Sequence, residues 1–446
     1  MERNIQLPRN VNYIIDTITK AGYEAYAVGG CIRDSLLGRE PEDFDITTSA
    51  SPQVVKELFA RTVDTGIKHG TVTVLLQKEM YEVTTYRIDG EYEDHRHPKE
   101  VIFTANLLED LKRRDFTINA MAYNEENGLV DPFEGEKDLE RKIIRCVGNP
   151  MERFTEDALR MMRAVRFSAQ LGYTIEENTR EAIEKLAPSL HAISAERIQT
   201  ELVKLVISPH PSFLRIAYET GITAVIMPEF DQCMKTEQHN PHHCYSVGEH
   251  TLCAMEHIKA DKILRLTMLF HDMGKPLTLT TDEEGISHFH GHPEVSAAIA
   301  KDILHRLKFD NKTIYYVTNL VRYHDLKVEP RKKTVRHAIS KIGEELFAYL
   351  FDVKRADFLA QSTFRRQEKE QELQALYGVY QEILDKKECV SLKSLAVTGK
   401  DLIAAGVEEG PRVGEELKRL LEIVLDEPEK NTKEYLLGEI KKVNHL

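Results

Sequence analysis

Asp43 and Asp45 stand two apart in Glu42-Asp43-Phe44-Asp45-Ile46, a segment of strand character. Strand alternation puts both carboxylates on one face. Such a pair suits Mg2+, which takes oxygen ligands and leaves positions for substrate phosphates. Nucleotidyl transfer uses that clamp to activate a 3′-hydroxyl and to neutralise the leaving pyrophosphate. Taken alone, two aspartates at this spacing are most often a solvated strand end, but they have company. Gly29-Gly30 lies just upstream, followed by Arg33. Glycines between a strand and a helix let backbone N–H groups approach a phosphate, and an arginine adds charge-assisted bonds. A second set lies far downstream: His250, His271-Asp272, His292, His324 and Asp357, at separate helical stations. Imidazoles and carboxylates suit Mn, Fe, Co, Ni, Zn or Mg. Six such groups allow two ions, and a bound ion acidifies water for phosphoester hydrolysis.

The elements that must position the first set read as an α/β head. Val11, Ile14, Ile15 and Ile18 have helical spacing, and the pattern stops at Gly22. Residues 24–28 predict a strand running into Gly29-Gly30, then a short helix to Gly38, and residues 44–48 a second strand. Ser51-Pro52 opens another helix, and residues 70–76 and 81–87 alternate as a hairpin. Residues 151–219 are helical, with breaks near Gly172 and Pro188. Pro228 to Tyr245 reads as a linker, 246–365 as helices dense in His and Asp, and 366–446 as a charged helical tail broken at Gly406 to Gly414.

Several runs resemble the class II tRNA nucleotidyltransferases and bacterial poly(A) polymerases. Gly29-Gly30-x-x-Arg33-Asp34-x-Leu36-Leu37-Gly38 with Asp43-Phe44-Asp45 resembles their first motif, and Arg113-Arg114-Asp115-Phe116-Thr117-Ile118-Asn119-Ala120 the second, which contacts the nucleotide sugar. Asp131-Pro132-Phe133-x-Gly135-x-x-Asp138-Leu139 resembles the third, Glu156-Asp157-Ala158-Leu159-Arg160 the fourth, and Glu196-Arg197 with Glu201 the fifth. The resemblance implies a polymerase beta-like nucleotidyltransferase head followed by an all-α neck, an HD domain and a tail. It makes Asp43 and Asp45 catalytic Mg2+ ligands. Gly30, Arg33, Arg114, Asp157, Arg160, Arg163 and Arg166 become nucleotide-binding residues, with Asp157 and Arg160 reading the base. Three apart in a helical run, those two share a face. An aspartate accepts from an exocyclic amino group and an arginine donates to a ring nitrogen, a pairing that cytosine and adenine offer and guanine and uracil reverse. Glu82, in the strand after the two aspartates, is a candidate third carboxylate.

The His-Asp contexts, Gly248-Glu249-His250-Thr251, Leu269-Phe270-His271-Asp272-Met273-Gly274-Lys275-Pro276, Gly291-His292-Pro293-Glu294 and Arg355-Ala356-Asp357, resemble the HD superfamily. That likeness assigns an unidentified divalent metal to His250, His271, Asp272, His292, His324 and Asp357. His239, His242, His243, His288 and His290 stay unassigned. The domain reading is a head at 1–145, a neck at 146–240, an HD domain at 241–365 and a tRNA-binding tail at 366–446.

The implied reaction adds CCA to tRNA from CTP and ATP, with an accessory HD phosphohydrolase. The segment from Arg87-Ile88-Asp89-Gly90 to Pro98 resembles the flexible loop that full CCA-adding and A-adding enzymes keep, which disfavours CC-only addition. A poly(A) or A-only polymerase is the nearest alternative, and an HD phosphohydrolase with an RNA-docking head another. A non-catalytic RNA-binding protein is disfavoured because both carboxylate sets are intact. The net charge of −13 over 446 residues speaks weakly against nucleic acid, but a global charge hides local basic faces. Arg160, Arg163 and Arg166 are read as one such functional series, and Arg331-Lys332-Lys333 as a solvated face. Six scattered cysteines without a C-x-x-C pair read as free thiols, and a zinc cluster of Cys233, Cys244 and Cys253 fits no finger spacing. No apolar run is long enough to span a membrane and Met1 to Asn10 lacks an apolar leader, so the cytoplasm is the expected compartment.

Overall fold

The computed structural model describes residues 5–89, 101–240 and 244–444. It divides into two units, 1–228 and 229–446. In the first unit, helix α1 (Arg9–Lys20) buries Val11, Ile14, Ile15 and Ile18, the face its spacing predicts. Strand β1 (Ala25–Val28), helix α2 (Gly30–Leu36), strand β2 (Asp45–Thr48) and helix α3 (Pro52–Leu58) follow. The Ser51 hydroxyl caps α3 by accepting from the Val54 N–H, and Pro52 sits in the first turn, where its missing N–H costs nothing.

Strands β3 (Thr62–Gly66), β4 (Thr71–Leu76) and β5 (Glu79–Thr85) come next, then the small hairpin of β6 (Arg87–Asp89) and β7 (Val101–Phe103). After α4 (Leu107–Lys112), β8 (Ala122–Asn124) and β9 (Gly128–Val130) complete a seven-stranded sheet of order β3-β4-β5-β2-β1-β8-β9. All its pairs are antiparallel except β2 with β5. This mixed sheet is the α/β head the sequence predicts, with β4 and β5 forming the expected hairpin. Short strands β3, β8 and β9 were not predicted.

Helix α5 (Gly135–Arg141) leads to the neck helices α6 (Pro150–Glu156), α7 (Leu159–Leu171), α8 (Glu177–Leu186), α9 (Ala195–Val206), α10 (Leu214–Glu219) and α11 (Ile222–Ile226). Gly172 ends α7 in the left-handed region, the break expected there.

Among its described residues the second unit is helical apart from one two-stranded hairpin. It opens with α12 (Pro228–Lys235), so the predicted linker is a helix over its first half; Phe230 and Cys233 anchor it. Helices α13 (Val247–Glu256), α14 (Lys262–Phe270), α15 (Lys275–Thr278), α16 (His292–Arg306), α17 (Asn311–Tyr323), α18 (Lys332–Ile342) and α19 (Glu344–Leu359) follow. Helix α20 (Arg366–Asp385) was read as the start of the tail, yet its Leu376, Tyr380 and Ile383 share a core with Val335, Ile339, Phe347 and Leu350 of α18 and α19. Beyond it, α21 (Gly399–Ala404), α22 (Pro411–Asp426) and α23 (Lys433–Asn444) close a separate core around Leu402, Leu420, Val424, Leu436 and Ile440. The predicted glycine-rich break spans only residues 405–410, because Gly414 lies inside α22. Arg331, Lys332 and Lys333 make surface ion pairs with Glu329, Glu382 and Asp426, a solvated face as expected.

Candidate active site and a second, metal-ligating centre

Strand register gathers the first site at one end of the sheet. Val28, the last residue of β1, pairs with Asp45 of β2 on one side and with Ala122 of β8 on the other. Ile46 pairs with Val83 in parallel, which sets Glu82 beside Asp45. Asp43 precedes the strand rather than lying in it, so the two aspartates are joined by an extended segment and not by a ladder. Asp45 is exposed to solvent, yet its carboxyl is raised from the usual range. The walls around it strip part of its hydration, the Arg114 guanidinium acts in the opposite direction, and Asp43 and Glu82 add like charge. Three crowded carboxylates and a raised pKa fit a divalent cation, whose charge relieves the repulsion.

Gly29 turns the chain at φ +87°, a conformation glycine adopts without strain. A Cβ there would lie 3.0 Å from Arg114 Nη1, so the turn also makes room for that guanidinium. Arg114 is partly paired with Asp110 at 3.6 Å, and its buried Nε has no hydrogen-bond partner. Arg33 donates to both carboxylate oxygens of its neighbour Asp34 and, at 2.8 Å, to Asn119 Oδ1. Arg163 donates to Asp115 at 2.7 Å, and Arg166 to Glu201 and Gln170. Asp115 is buried. Burial alone raises its carboxyl, but Arg163 and the neighbouring donors outweigh it and hold the pKa at about 2. Asn119 and Asp115 thus link Arg33 to Arg163, while Arg166 pairs with Glu201 and Arg114 with Asp110.

Asp157 and Arg160 do not share a helix face. Asp157 lies in the break between α6 and α7, at φ −140°, and its carboxylate accepts from Arg197 at 2.7 Å and from the Leu159 N–H. Arg160 is buried and donates to Glu156, to the Arg153 carbonyl and to the Arg113 carbonyl. An aspartate with its own cap role favours a helix break, which three-residue spacing alone does not reveal. The Phe167 ring, against which three of these arginines pack, went unnoticed although it stands four residues after Arg163. Residues Gly90 to Pro98 of the expected flexible loop lie outside the described residues.

The second centre is built from helix ends. His271 and His324 cap α14 and α17, Asp272 follows His271, His292 begins α16, His250 lies in α13 and Asp357 in α19. His250, His271 and Asp272 form one metal-sized group, and Asp272, His292 and His324 another. Asp272 joins them: Oδ2 lies 3.5 and 3.3 Å from the Nε2 atoms of His250 and His271, and Oδ1 3.3 and 3.7 Å from those of His292 and His324. Asp357 Oδ1 approaches His250 Nε2 at 2.9 Å.

The Nδ1 atoms of His250, His271, His292 and His324 face the backbone carbonyls of Ala360, Met268, Phe289 and Val321 at 2.6 to 3.4 Å. Nδ1–H donation to those carbonyls leaves each Nε2 with a lone pair turned inward. Yet His250 and His271, and His292 and His324, bring their Nε2 atoms within 3.2 Å. Facing lone pairs repel unless a cation sits between them. Asp272 Oδ2 is buried, and its charge is met by the Lys275 ammonium rather than by a hydrogen bond from the histidines. Burial, with the charge on His271, pushes His324 down to about 3, which keeps it in the neutral ligand form at neutral pH.

A 330 Å³ cavity opens on this centre, with Lys275, His288 and His290 on its walls. Lys275, buried, reaches Asp272 Oδ2 at 2.8 Å and Gln238 Oε1 at 2.9 Å. Gln238 lies in the stretch read as linker, and nothing in its sequence marks it.

Comparison with known families places the chain by region rather than by site. The head matches the Poly A polymerase head domain over residues 25–145, residues 172–234 match the probable RNA and SrmB-binding site of polymerase A, and 277–440 match the putative tRNA nucleotidyltransferase domain 2. A CCA-adding enzyme of Levilactobacillus brevis is 38% identical over 405 residues, 90% of this chain and 89% of that protein. The chain belongs to the CCA-adding enzyme family. A Lactobacillus helveticus member is 56% identical over 197 residues, 44% of this chain, and the match spans about half of that relative, 49%. The crystal structure of the Bacillus stearothermophilus CCA-adding enzyme in complex with CTP superposes with a TM-score of 0.72 at 31% identity, covering 97% of this chain and 96% of that one. Among the described residues no helix is long and apolar enough to cross a membrane.

Proposed function

We propose that this chain adds CCA to the 3′ end of tRNA from CTP and ATP, with Asp43 and Asp45 holding Mg2+. The observation that carries the reading is the convergence of Asp43, Asp45 and Glu82 on the sheet end that also presents the Gly29 turn and Arg114. Mg2+ there supplies charge neutralisation and hydroxyl activation. The chain's own groups do the rest. Arg33, Arg163 and Arg166 offer donors and positive charge to a triphosphate. Asp157, with Arg160, would present an acceptor and a donor to the base, provided Asp157 exchanges its Arg197 bond, and Arg160 one of its bonds to Glu156 and the Arg153 and Arg113 carbonyls, for the nucleotide. The CTP complex of the Bacillus stearothermophilus relative supports CCA addition over poly(A) addition.

In the second unit we infer a separate HD-type phosphohydrolase. Its support is the two close imidazole pairs, with the buried Asp272 carboxylate turned to both, in an arrangement that two three-residue groups of metal-ligand spacing share. His250, His271, Asp272, His292, His324 and Asp357 would hold the metal, which supplies an acidified water. Lys275 brings positive charge to the cavity where a phosphate would lie. The cytoplasm remains the expected compartment.

The test is incubation with tRNA lacking CCA and with CTP, ATP or both. Stepwise extension by two C and one A supports the reading, extension by A alone supports the A-only alternative, and unchanged activity in Asp45→Asn refutes the metal assignment.

A further inference from the structure

Three guanidinium groups of the nucleotide site converge on one aromatic ring. The Cζ atoms of Arg166, Arg33 and Arg163 lie 3.8, 5.1 and 5.5 Å from the centroid of Phe167. The ring is buried, and Phe116 packs against it edge-on at 5.8 Å. Each arginine is held at its donor edge by a carboxylate of its own: Asp34, Asp115 and Glu201. The ring is the feature all three share. Three like charges this close repel, and carboxylates at separate edges do not fix the distances between them. The electron-rich face of an aromatic ring attracts each cation and gives all three a common surface. Arg33 comes from α2 in the head and the other two from α7 in the neck, so Phe167 also ties these two segments together.

We propose that Phe167 is a positioning residue for nucleotide binding, and that its π face sets the spacing of Arg33, Arg163 and Arg166 toward the triphosphate. The proposal rests on the reading that these arginines bind the nucleotide. Phe167 itself need not touch substrate. Its loss should weaken the binding of CTP and ATP alike, because it orders arginines that meet the phosphates rather than the base.

The test separates the π face from mere bulk. The full-length protein is made with 4-fluoro-, 3,5-difluoro- and pentafluorophenylalanine at position 167, which withdraw ring electron density with little change of shape. Equilibrium binding of CTP and ATP is measured, together with KM and kcat for addition to tRNA. Kd and KM should climb with each step of fluorination, to roughly tenfold for the pentafluoro ring, while kcat and the melting temperature change little. In an Arg163→Gln background the rise should shrink. A flat series in folded protein overturns the proposal, as does an equal rise with and without Arg163. A wild-type protein that binds neither CTP nor ATP removes the underlying reading and this one with it, whereas binding that is flat across the series removes this one alone.

Discussion

Replacing Asp115 with asparagine tests the charge network at the nucleotide site through stability as well as activity. Its carboxylate accepts from Arg163 and from the Phe116 N–H, with Asn119 Nδ2 a further donor at 3.3 Å. It is held at about 2 against an ordinary 3.8. A carboxyl whose folded pKa is depressed contributes stability above its unfolded pKa and loses it as pH falls through the folded one. The shift corresponds to roughly 2–3 kcal/mol at neutral pH, of which about half is gone by pH ~3. Arg163, left without its carboxylate, adds a desolvation cost on top. The expected result for Asp115→Asn is a loss of about 2–4 kcal/mol at pH 7, or a fall of roughly 5–15 °C in the melting of the first unit. The gap between variant and wild type should narrow as pH drops from 4 toward 2. Urea titrations at pH 7, 4 and 3, followed by a probe in the first unit, measure it. A gap that does not narrow with acid, or an Asp115→Asn protein as stable as wild type at pH 7, refutes the charge argument.

Other positions give sharper local tests. Gly29→Ala should cost about 1–3 kcal/mol, because it strains a left-handed turn and crowds Arg114, and it should raise KM for both nucleotides; an unchanged KM counts against the turn's role. Asp157→Asn should loosen the choice among CTP, ATP, GTP and UTP more than it weakens their binding, checked by relative kcat/KM; unchanged ratios remove Asp157 from base reading. Asp272→Ala should abolish divalent-metal uptake by the second unit while CCA addition persists, as read by elemental analysis and tRNA extension; retained metal at wild-type stoichiometry removes the ligand assignment.

Much of the head was legible because Gly22, Gly29, Gly38 and Gly70 punctuate its short elements and its candidate catalytic groups lie close along the chain. Gly29, Asp43 and Asp45 span so few residues that one turn and one strand bring them together. The His-Asp centre was legible for another reason. Its side chains are widely spread, from His250 to Asp357, but each sits at or near a helix end with a distinctive local run. What escaped was set by tertiary contacts alone. Gln238 meets Lys275 because the segment after α12 pairs with Ser287 beside the cavity. Asp157 sits in the break between α6 and α7, where its carboxylate meets the Leu159 N–H and Arg197 instead of a helix neighbour. Helix α20 is as charged as a tail should be, and only the positions of Leu376, Tyr380 and Ile383 reveal that it completes the core beside α18 and α19.

The two centres differ in how they tolerate an empty state. At the first, every anchored arginine already has a carboxylate partner, and Asp45 answers crowding by holding its proton more tightly. Such a site can stand open between nucleotides and bind metal with substrate. At the second, the histidines are fixed from behind by backbone carbonyls, so their lone pairs cannot turn away from one another. Relief there comes from a metal ion or from a proton, which His271, beside Asp272 and Asp357, takes up more readily than a free imidazole and which His324 resists. On the proposed assignments, the first centre would take its metal with substrate, whereas the second would exchange a proton on one histidine pair for a metal ion.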